Sequence, residues 1–197
     1  MKRLERVLWI IVLIGAALKV FHLPFSSFLL IIGLSTLNII YFLFAWLLFP
    51  VPERKDQLVW LSVLGGIALS VALMAILFKI QLWPLSGFYL MIAVTTLPLL
   101  VISTLIVRSS RPDLAGYTRG MLARTLPVLV VCVLLQLLPG GTLTAFYYRN
   151  DPELAPYAIQ RNTATDPIEQ ERLSHQMDSI EQARALRSLE VKRTSSH

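Results

Sequence analysis

Over the first 148 residues, apolar positions come in long, nearly unbroken runs rather than in alternating or one-sided patterns. The runs are Val7–Leu23, Ser27–Phe49, Leu58–Ile80, Phe88–Val107 and Thr125–Tyr148. A helix needs about 20 such residues to cross a bilayer, and lipid offers no partner for an unpaired backbone group, so each run predicts a transmembrane helix. Val7–Leu23 is the shortest. It follows a basic stretch, Met1-Lys2-Arg3-Leu4-Glu5-Arg6, of the kind that opens a signal peptide. No small-x-small cleavage site follows it cleanly, and the next run starts within a few residues, which predicts an uncleaved first helix. The fifth run contains Pro139-Gly140-Gly141. It reads either as a kinked span or as a shorter span ending near Leu138 with an interfacial segment behind it, and its length favours the span.

Beyond residue 148 the pattern changes. Residues 149–165 hold two prolines and many polar residues, as a linker does. Asp166-Pro167-Ile168-Glu169 is a helix start: an N-cap acid, proline at the first helical position and a glutamate able to bond back. Leu173, Met177, Ile180, Ala183 and Leu186 then recur every three or four residues. They form one apolar stripe on a charged helix over 166–193, a stripe suited to a partner, with 194–197 as a disordered end.

The membrane part also repeats itself at an offset of 60. Ala17-Leu-Lys-Val-Phe-His-Leu-Pro-Phe-Ser-Ser-Phe aligns with Leu77-Phe-Lys-Ile-Gln-Leu-Trp-Pro-Leu-Ser-Gly-Phe. Lys19/Lys79, Pro24/Pro84, Ser26/Ser86, Phe28/Phe88, Thr36/Thr96 and Leu37/Leu97 are identical pairs. Sixty residues span two helices, so the copies share one orientation, as parallel repeats of a hairpin. The fold class expected is therefore all-α: a polytopic helical membrane protein with two parallel hairpin repeats, a fifth transmembrane helix and a C-terminal amphipathic helix.

Composition agrees with that class. Apolar residues make up 55% of the 197 residues and charged residues only 15%, below the roughly 25% of soluble domains. Before residue 149 eleven Lys and Arg face four Asp and Glu, whereas from Arg149 onward seven bases face eight acids. The excess of base thus lies in the membrane part, where it signals orientation rather than a nucleic-acid footprint. Lys2, Arg3 and Arg6 precede the first helix, Arg54 and Lys55 follow the second, and Arg108, Arg111, Arg119 and Arg124 follow the fourth. The turns Leu23–Ser27 and Gln81–Gly87 carry no charge. This bias predicts a cytoplasmic N-terminus and, with five spans, a tail on the opposite, periplasmic side of a bacterial inner membrane. Cys132, the single cysteine, excludes an internal disulfide.

Few residues suggest chemistry. Lys19 and Lys79 lie at equal depth near their prolines, where they can snorkel to the interface or meet a lipid head group or a partner's carboxylate. His22 and Trp83 fit the same interfacial belt. Asn38 and Gln136 lie deep within runs and are expected to hydrogen-bond between helices. No Asp or Glu falls within a predicted span, although an ion pathway usually needs one. Nucleophile–base motifs, His/Cys metal spacings and phosphate-cradling loops are missing from the sequence, so neither an enzyme nor a cofactor is expected.

Both turns resemble the first hairpin of the GldL-type membrane proteins of the Bacteroidetes. That hairpin has a Phe-Lys-hydrophobic-x-x-Trp-Pro-type turn, then Gly-hydrophobic-x-Thr in its second helix. Here the turns read Leu18-Lys19-Val20-Phe21-His22-Leu23-Pro24 and Phe78-Lys79-Ile80-Gln81-Leu82-Trp83-Pro84, followed by Gly33-Leu34-Ser35-Thr36 and Ala93-Val94-Thr95-Thr96. The resemblance covers about residues 7–48 and again 66–107. It implies an inner-membrane fold belonging to a motor that uses the proton gradient for gliding and protein secretion. The glutamate that would follow the threonine is replaced by Leu37-Asn38 and Leu97-Pro98, so the resemblance carries the fold and the location without the motor's ionisable centre. The function expected is a non-catalytic assembly or accessory subunit of an envelope complex, among membrane lipids and other membrane subunits and without nucleic acid. The alternative is a small transporter or lipid-binding protein using the repeat interface.

Overall fold

The computed structural model describes residues 2–48 and 58–195, apart from 22, 24, 84, 140, 150, 152 and 165. Among these residues the chain is all helix: α1 Lys2–Val20, α2 Ser26–Leu48, α3 Val59–Ile80, α4 Ser86–Ser110, α5 Ala115–Leu137, α6 Thr142–Tyr147, α7 Ala155–Thr163 and α8 Pro167–Ser195, with a single 3-10 turn at Pro112–Leu114. The chain divides into two compact units, Met1–Leu137 and Leu138–His197. Four stretches of the first unit are long and apolar enough to cross a membrane: Ser26–Leu43, Val59–Ile80, Ser86–Ser110 and Pro112–Leu137. The molecule is a polytopic helical membrane protein. Five charged residues among the 19 of α1 keep that helix out of the set.

In the first unit α1 packs on α2, α2 on α3, α3 on α4, and α5 closes against α4 and α3. Each apolar run is hydrophobic all round, as expected of helices that face lipid on one side and protein on the other. Small residues set the closest approach. A methyl at Gly15 would lie 3.1 Å from Leu30 Cγ, and one at Gly33 would lie 2.7 Å from Val12 Cγ2, so α1 and α2 meet almost backbone to backbone. Helix α3 runs parallel to α5. The Tyr117 hydroxyl meets Ser62 Oγ at 2.8 Å, a methyl at Gly65 would strike the Met121 side chain, and Cys132 Sγ lies 4.0 Å from the Ala72 carbonyl.

The two turns share three backbone bonds and one left-handed residue at the offset of 60 among the described residues. Leu23 N–H donates to Leu18 O at 2.9 Å, as Trp83 N–H donates to Phe78 O at 2.8 Å. Phe21 and Gln81 donate to Ala17 and Leu77, and Leu29 and Tyr89 donate to Phe25 and Leu85. Phe25 and Leu85 hold φ of 65° and 62°, a left-handed conformation that costs a branched or aromatic residue about 1–2 kcal/mol. The second turn also shows Leu82 at φ 57° donating to Lys79 O at 3.3 Å. With the Trp83 bond this makes a Schellman cap, closed by the edge-on Phe78–Trp83 contact with ring centroids 5.2 Å apart.

The fifth long helix differs from the predicted run 125–148. It begins ten residues earlier, runs through Arg119, Arg124 and Pro127, and ends at Leu137. Pro139 cannot continue a helix and disfavours helical backbone just before it, which fixes that end. The segment behind it is the six-residue α6.

The second unit folds on itself. The stretch 149–165, expected to be a linker, contains α7, whose Leu154 and Ala158 pack with Met177 of α8, bordered by Tyr148, Tyr157 and Ile180. Asn162 Nδ2 donates to Thr144 Oγ1 at 2.8 Å and links α7 to α6. Asp166 Oδ1 accepts the Ile168 N–H at 3.0 Å, the N-cap bond its position predicts. Helix α8 continues to Ser195, past the expected end at 193.

Candidate functional site

One face of α1 reads Glu5, Leu8, Val12 and Gly15, all buried and spaced three or four residues apart. Glu5 is only 6% exposed. It sits in the first turn of its helix, where the positive end of the helix dipole favours a carboxylate. On α2 the buried stripe Leu30, Leu34, Leu37 and Tyr41 faces it, and Tyr41 is fully buried at the end of that stripe. Arg124 comes from α5, between the buried Met121 and Thr125.

These three side chains form one network. The Tyr41 hydroxyl donates to Glu5 Oε1 at 2.6 Å. Arg124 Nε donates to the same oxygen at 2.6 Å, and Arg124 Nη2 donates to Oε2 at 2.8 Å. Arg124 Nη1 turns back to the Gly120 carbonyl at 3.0 Å. Glutamate and guanidinium thus make a planar two-pronged pair, the strongest charged hydrogen-bond geometry available to side chains. The pair joins the first helix to the fifth across 119 residues of sequence. Beside it lies an open pocket of about 520 Å³, lined by Glu5, Arg6, Trp9, Gly120, Ala123, Arg124 and Pro127.

Such a trio suits fastening better than proton traffic. Protonating Glu5 would give up two charged hydrogen bonds and leave a guanidinium uncompensated in a site of low dielectric. Among the described residues no group of three His, Cys, Asp or Glu is placed to hold a metal.

The predicted site residues fall in four places. Asn38 Oδ1 accepts from Ser70 Oγ, and Asn38 Nδ2 lies 4.0 Å from Met74 Sδ, so this amide links α2 to α3. Gln136 is exposed near the end of α5. Lys19 Nζ donates to Ser27 Oγ at 2.7 Å, and Gln81 Nε2 reaches the Ser27 carbonyl at 3.2 Å, so α1, α2 and α3 converge at the turn end. Lys79 is half-buried and Trp83 largely exposed at that same end, while His22 lies outside the described residues. Of the tail stripe, Leu173 and Met177 are buried and Ile180 half-buried, which leaves Ala183 and Leu186 exposed.

Glu5 escaped the sequence reading, which began the first span at Val7 and placed no acid within any helix of the membrane unit. The available signal was phase: Glu5 stands three residues before Leu8 and seven before Val12, on the buried face.

No curated protein and no solved structure matches the chain. Residues 10–68 match the family model described as the GldL N-terminal domain. Of the buried network only Tyr41 falls inside that stretch, with Glu5 before it and Arg124 far beyond it. This polytopic membrane protein therefore contains a stretch similar to the GldL N-terminal domain, which takes in α1 from Ile10, α2 and the start of α3, within a longer helical bundle.

Proposed function

We propose that the chain is an accessory subunit of a bacterial inner-membrane complex related to gliding and secretion machinery, built on tandem GldL-type hairpins and lacking motor chemistry of its own. The observation that carries this reading is at Asn38. Where the resembling hairpins place a glutamate, this chain has an amide tied to Ser70 on the neighbouring helix. The buried acid it does possess, Glu5, is spent on Arg124. Among the described residues of the membrane unit, the one buried carboxylate is thus already committed to a cation.

The three backbone bonds and the left-handed residue that the two turns share at an offset of 60 support the tandem origin. Helix α1 is about 28 Å long at 1.5 Å per residue and lies along α2, which supports a fifth crossing despite its charges. With α1, α3 and α5 parallel, five crossings would bring Leu137 out on the side opposite the N-terminus. The second unit would then stand in the periplasm, offering the exposed end of α8 to a partner. Lys19, Lys79 and Trp83 would anchor the bundle at the interface on that side.

The test is co-purification from solubilised membranes of the native host, comparing the full chain with Ala183→Glu/Leu186→Glu. Both positions are exposed, so the second unit should still fold. We expect defined stoichiometric partners with the full chain and their loss from the double variant. Unchanged partners would remove α8 from the role, and a chain recovered alone in both cases would overturn the accessory reading.

A further inference from the structure

The two hairpin turns share backbone bonds and differ in the side chains set on them, and the differences leave the second turn with donors to spare. Lys19 Nζ donates to Ser27 Oγ at 2.7 Å, so the first turn holds its own ammonium. Sixty residues on, Gly87 takes the place of Ser27, and a Cβ there would meet nothing within 4 Å. Lys79, half-buried at the end of α3, has no hydrogen-bond or ion-pair partner among the described residues. No Asp or Glu occurs between Asp56 and Asp113, so neither α3 nor α4 can neutralise it. Leu23 of the first turn corresponds to Trp83, whose ring stands edge-on to Phe78. The Trp83 indole N–H is likewise without an acceptor among the described residues. Residues 81–85 join α3 to α4, both long and apolar enough to cross a membrane, so this turn lies where the hydrocarbon ends. Trp83, Leu85 and Phe88 are exposed there, and apolar rings so placed lie against head groups and acyl carbons rather than in bulk water.

We propose that the second turn holds one anionic phospholipid by its phosphate, on the Lys79 ammonium and the Trp83 indole N–H, whereas Lys19, already bonded to Ser27, takes no part. Depth and charge favour lipid over a protein partner. Phosphates surround the bundle at the level of this turn, so the site needs no further surface to bring its ligand to the ammonium. A partner's carboxylate would have to be seated on residues that, Lys79 and Trp83 apart, offer it only apolar contact. A zwitterionic lipid carries an ammonium of its own, which competes with Lys79 for the phosphate, so the site selects a lipid of net negative charge.

Native mass spectrometry of the full chain, released from nanodiscs of equal phosphatidylglycerol and phosphatidylcholine, tests this directly. The wild type should retain one phosphatidylglycerol per chain in preference to phosphatidylcholine. Lys79→Met should lower that retention about fivefold, the effect of one basic residue at a lipid surface, and Lys19→Met should leave it unchanged. Gly87→Ser keeps every charge and sets the serine of the first turn in open space, where its hydroxyl competes for the ammonium. It should lower retention too, by less than Lys79→Met. Equal losses from Lys19→Met and Lys79→Met would mean interfacial charge without a site and would overturn the proposal. Full retention in both Lys79→Met and Gly87→Ser, or no preference for phosphatidylglycerol in the wild type, would likewise overturn it and leave Lys79 to a protein partner's carboxylate.

Discussion

The hairpins α1–α2 and α3–α4 turn in the same way and hold together differently. Among the described residues their turns share three equivalent backbone bonds and left-handed Phe25 and Leu85 at equivalent places. Their helix contacts differ. Gly15 and Gly33, which bring α1 close to α2, correspond to Ala75 and Ala93 in the second hairpin, both fully buried. Glu5 corresponds to Gly65. Both face α5, but Glu5 reaches the Arg124 guanidinium whereas Gly65 admits the Met121 side chain one turn earlier. The turn is thus what the two hairpins keep in common, in backbone bonds and φ values that several different side chains satisfy. The faces are free to diverge, provided each still finds a complement on the fifth helix: charge for one hairpin, close packing for the other.

The charged seam is where this contrast breaks most visibly. Arg124→Met leaves Glu5 buried without its cation and should cost about 3–5 kcal/mol, read as unfolding of the purified protein in detergent. Glu5→Met together with Arg124→Met should restore most of that loss, since well-packed apolar residues often replace a buried pair at little cost. A double variant as unstable as the single one would show that the pair contributes more than mutual compensation. Tyr41→Phe removes one hydrogen bond to the carboxylate and keeps the ring, so its cost should be smaller, about 1.5–3 kcal/mol. In the second hairpin the equivalent residue of Tyr41 is Val101, and Val101→Ala should show no dependence on Glu5 at all.

How far these features were legible in the sequence follows from the same physics. Helices α2, α3 and α4 are visible because lipid imposes long apolar runs, and the repeat is visible because lysine, proline, serine and phenylalanine recur in the same order at an offset of 60. The start of α5 is hidden because Arg119 and Arg124 look like loop charges until a partner is known. Arg124 can enter a helix of the membrane unit only because Glu5, 119 residues earlier, compensates it. Glu5 is hidden for the matching reason. Helix α7 escaped because Pro152, Pro156 and polar residues mask a short helix whose apolar contacts are supplied by α8. That contact also uses Met177 and half of Ile180, so the stripe read as a partner surface is mostly internal. Asn38 was recognisable from its own chemistry, since a carboxamide deep in a membrane helix needs a second helix, whereas Gln136 proved to be exposed.

A subtler contrast lies in the spacing of the helices. Gly33→Ala pushes a methyl to 2.7 Å from Val12 Cγ2, and valine is too stiff in a helix to swing away, so a loss of about 1–3 kcal/mol is expected. Val12→Ala in the same chain should recover part of it, since the obstructing carbon is gone. The mirror change Ala93→Gly opens the second hairpin without a clash, and no change at the facing residue should rescue it. Its cost should be the glycine penalty in a helix, about 1 kcal/mol, plus the contacts of one buried methyl, about 0.8 kcal/mol. Equal recovery in the two hairpins would mean that they are spaced alike, contrary to the contacts seen at Gly33.

The smallest effect tests what the hairpins share. Phe25 and Leu85 sit at φ of 65° and 62°, which glycine adopts freely and a side chain with a Cβ does not. Phe25→Gly and Leu85→Gly should each relieve about 1–2 kcal/mol of backbone strain and return about half of it as lost chain entropy. The net expectation is a stabilisation of under about 1 kcal/mol, equal in the two turns within the error of unfolding midpoints. Combining the substitutions should nearly add the two gains, any shortfall measuring the coupling carried by Gln81 Nε2 on the Ser27 carbonyl. A gain in one turn and a loss in the other would show that one bulky residue is held for its side chain, as an interfacial anchor would be. The left-handed residue would then be the same backbone solution reached for two different reasons, and the common geometry would no longer argue for a common origin.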